Sequence, residues 1–314
     1  MEVGIIVPVR NRASIVERAL HSIASQTYRP LRLTLVDNGS TDGTMDALLK
    51  FQRERQGGGL SIEVLGEPRV GATAARNAGL RATPSEWVMF FDSDDTMDAC
   101  LVERYMDRIG QCGDDVDIVV TRCDLTAPGG KRRPLPYFES DDPMKYHLID
   151  AILSTQRYIT RRSLVERAGG WNEGLPRWND WELGVRLLLQ RPRVAYLGGR
   201  IMVHTYFTPV SITGTSRLSH CGEWEKSLDA VEADLKASDC PGKERYLKYI
   251  DYRRALLAGE YAREGGSEAS RALYASTREK TCRARTLRWL LPMLYRYISI
   301  GGKGASRIAK AVIR

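Results

Sequence analysis

Along the first hundred positions, short unbroken apolar runs alternate with segments of helical spacing. Val3-Gly4-Ile5-Ile6-Val7, Leu31 to Val36, Ser61 to Leu65 and Trp87 to Phe91 read as strands buried on both faces. Between the first two, Ile15, Ala19, Leu20 and Ile23 recur at helical spacing, and Ser14-Ile15-Val16-Glu17 has the form of a capping box opening that helix. A second helix is predicted through Ala47, Leu48 and Leu49, and a third, rich in alanine, from Ala72 to Leu80. Apolar strands separated by helices predict an α/β fold, a largely parallel sheet covered on both sides.

The pattern then loosens. Asp117 to Cys123 reads as one more buried strand, and residues from about 125 to 145 as an irregular surface segment rich in Pro, Gly and Asp. A helix is expected near Ser163 to Ala168, stopped by Gly169-Gly170, and another from Asp180 through Gln190. From about residue 222 the signal is helical and polar. No apolar stretch is long enough to span a bilayer, and there is no internal repeat.

Ligands of parallel sheets bind beyond the carboxyl ends of the strands. Asp37 and Asp92 both sit at such ends. Asp92, Asp94 and Asp95 fall within four positions, and carboxylates so close repel unless protons or a cation offset them. Oxygen ligands from few protein donors suit Mg²⁺ or Mn²⁺, which complete their shells with water and phosphates. The competing reading is a solvated acidic loop in which Asp94 or Asp95 caps a helix beginning near Met97.

Around this cluster the sequence resembles the inverting glycosyltransferases of family 2, which have the GT-A fold. The matching pieces are Val7-Pro8-Val9-Arg10-Asn11-Arg12, Val36-Asp37-Asn38-Gly39-Ser40-Thr41-Asp42, Ala75-Arg76-Asn77-Ala78-Gly79 and Phe91-Asp92-Ser93-Asp94-Asp95. Gly169-Gly170-Trp171-Asn172-Glu173 and Asp180-Trp181-Glu182-Leu183, with Arg186, continue the match. The resemblance implies a GT-A (nucleotide-diphospho-sugar transferase) fold, with a Rossmann-like, mostly parallel sheet flanked by helices. It would occupy residues 1–221, with a nucleotide-binding half to about 124 and an acceptor half from about 125, followed by a helical basic region at 222–314.

It also implies roles. Pro8, Val9, Arg10 and Asn11 would pass the base and ribose of a nucleotide-sugar donor, and Asp37 would accept from the N3–H of a uracil-like base. Arg76 would approach the base or diphosphate, and Asp94 the ribose. Asp95 would be the main protein ligand of Mn²⁺ or Mg²⁺, with Asp92 supporting it. Asp180 would be the base that deprotonates the acceptor, a saccharide or lipid-linked hydroxyl, and Trp178 would line the acceptor site. An Asp at a helix start is otherwise an ordinary cap, so the catalytic reading of Asp180 rests on the resemblance. Two positions depart from the family pattern: Asn179 stands where a Glu usually precedes the base, and Thr208 where a His is common. His204 lies just upstream, and a structural role is the simpler expectation for it.

Composition narrows the partners. The chain has 314 residues and a net charge of +8, which suggests an anionic partner. Six scattered cysteines without a C-x-x-C pair, and a strand beginning at Val3 that leaves no room for a leader, predict a reducing, cytoplasmic setting. Much of the positive excess lies in residues 278–314, where Glu279 is the single acidic residue. Leucines and aromatics interleave with those cations, so an anionic membrane surface is one expected partner, alongside a helix packed on the rest of the chain. No nucleic-acid motif accompanies the charge, and nucleic acid is not expected. The competing functions are nucleotidyl transfer, for which Pro8-Val9-Arg10-Asn11 is a poor triphosphate loop, and non-catalytic binding of a nucleotide sugar or nucleic acid.

Overall fold

The computed structural model describes residues 1–207, 216–280 and 285–312. These residues form two compact units, interleaved along the chain. The first comprises Met1–Glu139, Ile152–Pro176 and residues 190–207; the second comprises Ser140–Ala151, Arg177–Leu189 and the described residues from 216 onward.

The first unit begins with β1 (Val3–Val9), α1 (Val16–Ala24), β2 (Leu31–Asp37), α2 (Thr44–Arg55), β3 (Leu60–Gly66), α3 (Ala72–Ala82) and β4 (Trp87–Phe90). β1 pairs in parallel with both β2 and β4, and β2 with β3. Val3, Ile5, Val7 and Val9 point into a core shared with Val16, Leu20 and Ile23 of α1. Ile6, on the other face, lies against Gly79 of α3, so closely that a β-carbon on Gly79 would overlap it. Burial on both faces explains why β1 and β4 carry no charged or hydroxyl side chain. The predicted sheet is therefore present.

Farther along come β5 (Thr96–Met97), α4 (Leu101–Cys112), β6 (Ile118–Val120), β7 (Cys123–Thr126) and β8 (Arg132–Pro134). In the second unit α5 (Pro143–Asp150) follows; the first unit resumes with β9 (Tyr158–Arg161) and α6 (Arg162–Arg167). α7 (Asn179–Leu189) is in the second unit, and β10 (Val194–Tyr196) and β11 (Val203–Tyr206) complete the first. The main sheet runs β10-β6-β9-β4-β1-β2-β3, with β9 antiparallel to both of its neighbours. A smaller sheet runs β5-β11-β7-β8.

The second unit is helical. α5 and α7 join α8 (Cys221–Ala237), α9 (Lys243–Arg263), α10 (Ser267–Lys280), α11 (Arg285–Ser299) and α12 (Ala305–Val312). α9 is central, packing against α5, α8, α10 and α11.

Four local expectations are corrected. The expected capping box does not form: Ile15 holds the cap position of α1 without a side-chain cap, and the Ile15 and Val16 N–H groups instead donate to Arg12 O, at 3.0 and 2.9 Å. No helix starts near Met97, because Thr96–Met97 is drawn into β5 against β11. Asp117 to Cys123 is not one strand but the whole of β6 in the main sheet and the first residue of β7 in the small one. The segment from 125 to 145 carries β8, paired with β7, and the start of α5, capped by Asp142 accepting from Lys145 N at 3.1 Å.

Candidate functional site

β1, β2, β3 and β4 are parallel, so the loops that follow them lie along one edge of the main sheet. The first two are bound together. Asn11, in the left-handed region at φ 50°, donates from its backbone to Ser40 Oγ at 2.9 Å and accepts from Thr41 N at 2.9 Å. Arg12 N donates to Thr44 Oγ1 at 2.9 Å, and Ala13 N to Asp42 Oδ2 at 3.1 Å. Pro8 and Val9 close β1 beneath this junction, and Arg10 is exposed at its rim. Asn38 ties the second loop to the third, donating to the carbonyls of Glu67 and Arg69 and accepting from Gly71 N at 2.7 Å.

Asp37 ends β2 and is buried. One carboxylate oxygen accepts from Ser40 N at 3.1 Å, a local turn bond. The other, Oδ1, is buried and has no hydrogen-bond partner. A buried acceptor left unpaired costs about 1–3 kcal/mol, so such atoms call for an explanation.

The loop after β4 folds into a tight turn, with Asp95 N donating to Asp92 O at 3.3 Å. Arg76, buried on α3, donates to Asp92 Oδ1 at 2.7 Å and lies over the Trp171 ring at 4.3 Å. Asp94 is flanked by Arg12 at 3.8 Å, and Arg18 holds its carbonyl at 2.6 Å. Asp95 is the buried member, 3% exposed. Its Oδ1 accepts from Tyr206 N at 3.0 Å, and its Oδ2 from the side-chain amide of Gln156. Burial, then the charges of Asp92 and Asp94, push its carboxyl well above the ordinary aspartate range.

That electrostatic tension fits a divalent cation. Among the described residues no group of three or more His, Cys, Asp or Glu side chains is arranged to hold a metal ion. Mg²⁺ and Mn²⁺ at nucleotide sites need only one or two carboxylates, the remaining ligands being phosphates and water. Each Asp95 oxygen keeps a lone pair after its hydrogen bond. His204 does not compete for this role: its ring nitrogens contact Asp124 at 3.0 Å and Asp98 at 3.3 Å, so both are occupied. Thr208 lies outside the described residues.

Asp180 belongs to the second unit. α7 starts one residue earlier than expected, at Asn179, which is buried. Trp178 precedes it in a left-handed backbone conformation, φ 47°, which is uncommon for a bulky residue. Asp180 is half-buried in the first turn, with Oδ1 accepting from Trp181 N at 2.8 Å. Trp181 is core, pinned by His147, whose carbonyl accepts its ring N–H at 3.2 Å. Trp171 is also core, in the first unit. Trp178 alone of the three keeps partial exposure, its ring 5.7 Å from Trp181 and 5.1 Å from Trp224. Arg253 lies over Trp181 at 4.5 Å and Trp178 at 5.1 Å, and the negative charge of Asp180 is among those that offset its desolvation.

Gln156, Tyr206, Arg18 and Arg253 carry no local motif, and sequence reasoning passed over them. Gln156 lies two residues before β9, and the antiparallel pairing of β9 with β4, which only the structure shows, brings it to the edge where β4 ends.

Residues 4–168 match the profile of Glycosyl transferase family 2 across just over half of the chain. The chain belongs to this family. Two curated relatives frame its diversity. Glycosyltransferase AglE of Haloferax volcanii is 32% identical over 172 residues, covering 53% of this chain and 55% of that protein. The pre-mycofactocin glycosyltransferase of Mycobacterium tuberculosis is 28% identical over 218 residues, covering 66% of this chain and 43% of that protein. The chain thus spans about half of the length of the curated relatives it matches. Among solved structures, Staphylococcus aureus TarS 1–349 in complex with UDP-GlcNAc superposes with a TM-score of 0.74 at 17% identity, covering 99% of this chain and 92% of that one. The mannosyltransferase PcManGT of Pyrobaculum calidifontis, in complex with GDP-Man and Mn²⁺, superposes with a TM-score of 0.57 at 18% identity, covering 98% and 86%. At such identities the likeness is one of fold. The GT-A fold expected of a family 2 chain is the fold found.

Proposed function

We propose that this chain transfers a sugar from a nucleotide-diphosphate donor, a UDP-sugar, to a hydroxyl of a saccharide or lipid-linked acceptor, with inversion at the sugar carbon, and that it serves cell-surface polysaccharide synthesis. The observation that carries the reading is the unpaired Oδ1 of buried Asp37, one strand away from the β1 loop and two from the Asp92–Asp95 turn. A uracil N3–H would supply the missing donor. Nucleotide sugars bound to fold neighbours support the same class of ligand.

In this reading Pro8, Val9, Arg10 and Asn11 pass the base and ribose, Asp94 meets the ribose, and Arg76 neutralises charge beside the diphosphate. Asp95, supported by Asp92, would hold Mn²⁺ or Mg²⁺. When bound, such an ion stabilises charge developing on the departing diphosphate. The bond between the sugar carbon and the diphosphate oxygen breaks as the acceptor oxygen attacks from the opposite face. The acceptor proton passes to Asp180, the role that the family resemblance assigns to it. Trp178, partly exposed beside Trp181 and Trp224, would line the acceptor site.

The test is a panel of nucleotide sugars, with and without Mn²⁺ or Mg²⁺, followed by release of the nucleoside diphosphate. Metal-dependent turnover with a UDP-sugar is expected. Neither binding nor turnover with any donor overturns the reading. An acceptor carried on lipid would place the work at a bilayer, and no helix among the described residues is long and apolar enough to cross one.

A further inference from the structure

α11 has two apolar faces, and among the described residues one is buried and the other exposed. Leu287, Leu291, Leu294 and Ile298 are buried. This inner side packs on α9, with Ile298 against Gly259, and Tyr295 stacks on Tyr274 of α10 at 4.3 Å. The helix is therefore already anchored. On its outer side Trp289 is 81% exposed, Met293 70%, Tyr297 39% and Ile300, just past its end, 84%. Steps of four, four and three residues place these on one face. Ile308 on α12 is also exposed. An exposed, contiguous run of large apolar side chains of this kind marks a contact surface.

Charge identifies the partner. Residues 281–314 contain eight Lys and Arg and no Asp or Glu. Arg288, Arg296, Lys303 and Arg307 are exposed around the apolar face. Two copies meeting through this face would bring like charges together with no acid in the segment to offset them, since a two-fold contact repeats the same patch. An anionic lipid surface satisfies both features: it takes up the apolar side chains below its headgroups and pairs the cations with its phosphates. α11 is 15 residues long with Pro292 inside, so it would lie in the interface plane rather than cross it.

We infer that the outer face of α11, with Ile300 and Ile308, docks this chain on an anionic lipid bilayer, inserting Trp289, Met293 and Ile300 among the headgroups. The inference deepens the proposed function by supplying a place where a lipid-linked acceptor would be met. Its observations stand apart from the donor site.

The test uses the full chain and vesicles of phosphatidylcholine with or without phosphatidylglycerol, read by flotation. The wild-type chain floats with anionic vesicles, less with neutral ones and less in high salt. The triple variant Trp289→Ser, Met293→Ser, Ile300→Ser partitions about tenfold or more weakly, because its apolar anchors are gone. These side chains are solvent-exposed, so its melting temperature and donor turnover remain those of the wild type. A second pair, Arg288→Ser with Arg296→Ser, lowers binding to anionic vesicles and leaves neutral ones unaffected. Equal flotation of wild type and triple variant overturns the inference. So does absence of wild-type flotation, or a concentration-dependent dimer that the triple variant abolishes. Failure of the donor panel leaves the flotation result standing, and the reverse also holds.

Discussion

Arg76 Nη2 donates to Oδ1 of Asp92 across 2.7 Å, from a side chain that is only 7% exposed. The pair joins α3 to the carboxylate turn after β4, and the Trp171 ring behind the guanidinium keeps it in plane. At the same turn, Arg12 lies 3.8 Å from Asp94.

Removing this cation leaves Asp92 uncompensated beside Asp94 and Asp95. Arg76→Ala is expected to lower stability by about 1–3 kcal/mol, less than for a fully buried pair because Asp92 is partly wet. Donor turnover should fall more than tenfold, roughly the effect of losing one charge-assisted contact. Arg76→Lys should sit between the two, since an ammonium neither forks to a carboxylate nor stacks on Trp171. Thermal melts and donor titrations decide; an Arg76→Ala protein indistinguishable from wild type removes the pair from the site.

Asp37→Asn tests the base-binding reading. The replacement keeps the shape and puts an amide where the acceptor stood. Binding of UDP should weaken by roughly 10–100-fold, the cost of mispairing one buried donor, with little change in melting temperature. Calorimetric titration with UDP and with a purine nucleoside diphosphate measures it. Equal weakening for both nucleotides would count against recognition of a uracil N3–H.

For Asp180 the expected signature is a split between binding and chemistry. Asp180→Asn keeps the Oδ1 that accepts from Trp181 N, so α7 should start where it does now. Transfer to acceptor should fall by about 10²–10⁴, the usual worth of a positioned base, while donor affinity holds. Loss of donor affinity instead would make it a structural cap.

Gly79→Ala probes the fold beneath the site. Its β-carbon would overlap Ile6 Cγ2 and press Val36 Cγ2, forcing α3 off the sheet. Overpacking of this kind costs about 1–3 kcal/mol. Because Arg76 rides on the same helix, donor affinity should weaken together with the melting temperature; a change in neither refutes the close packing.

Cys123 should be chemically silent. Burial pushes its thiol up to about 12, so at pH 8 it is protonated as well as hidden. Alkylation followed by mass spectrometry should label Cys100, Cys112, Cys221 or Cys240, which are partly exposed, well before Cys123. Rapid labelling of Cys123 in the folded protein would refute its placement.

The sequence by itself determined the parallel core and the position of the carboxylate turn. Strand periodicity and helix periodicity are local, and Val3–Val7, Leu31–Val36 and Trp87–Phe91 each announce their own burial. Asp37 and Asp92 could be placed at strand ends because a parallel sheet puts all such ends on one edge. Only the tertiary structure decided what holds the turn. Gln156 and Tyr206 reach Asp95 from 61 and 111 residues away, and nothing in either segment marks it as a partner. Likewise Asp117 to Cys123 looks like one apolar run, yet pairing with β9 and with β11 pulls its two ends into different sheets. The tryptophans make the same point: identical side chains became core at Trp171 and Trp181 and half-exposed at Trp178. Composition showed that the C-terminal segment is basic and apolar, and packing on α9 chose which apolar side was left over. Burial of one face is a contest between distant surfaces, and its outcome is not encoded in the residues of that face alone.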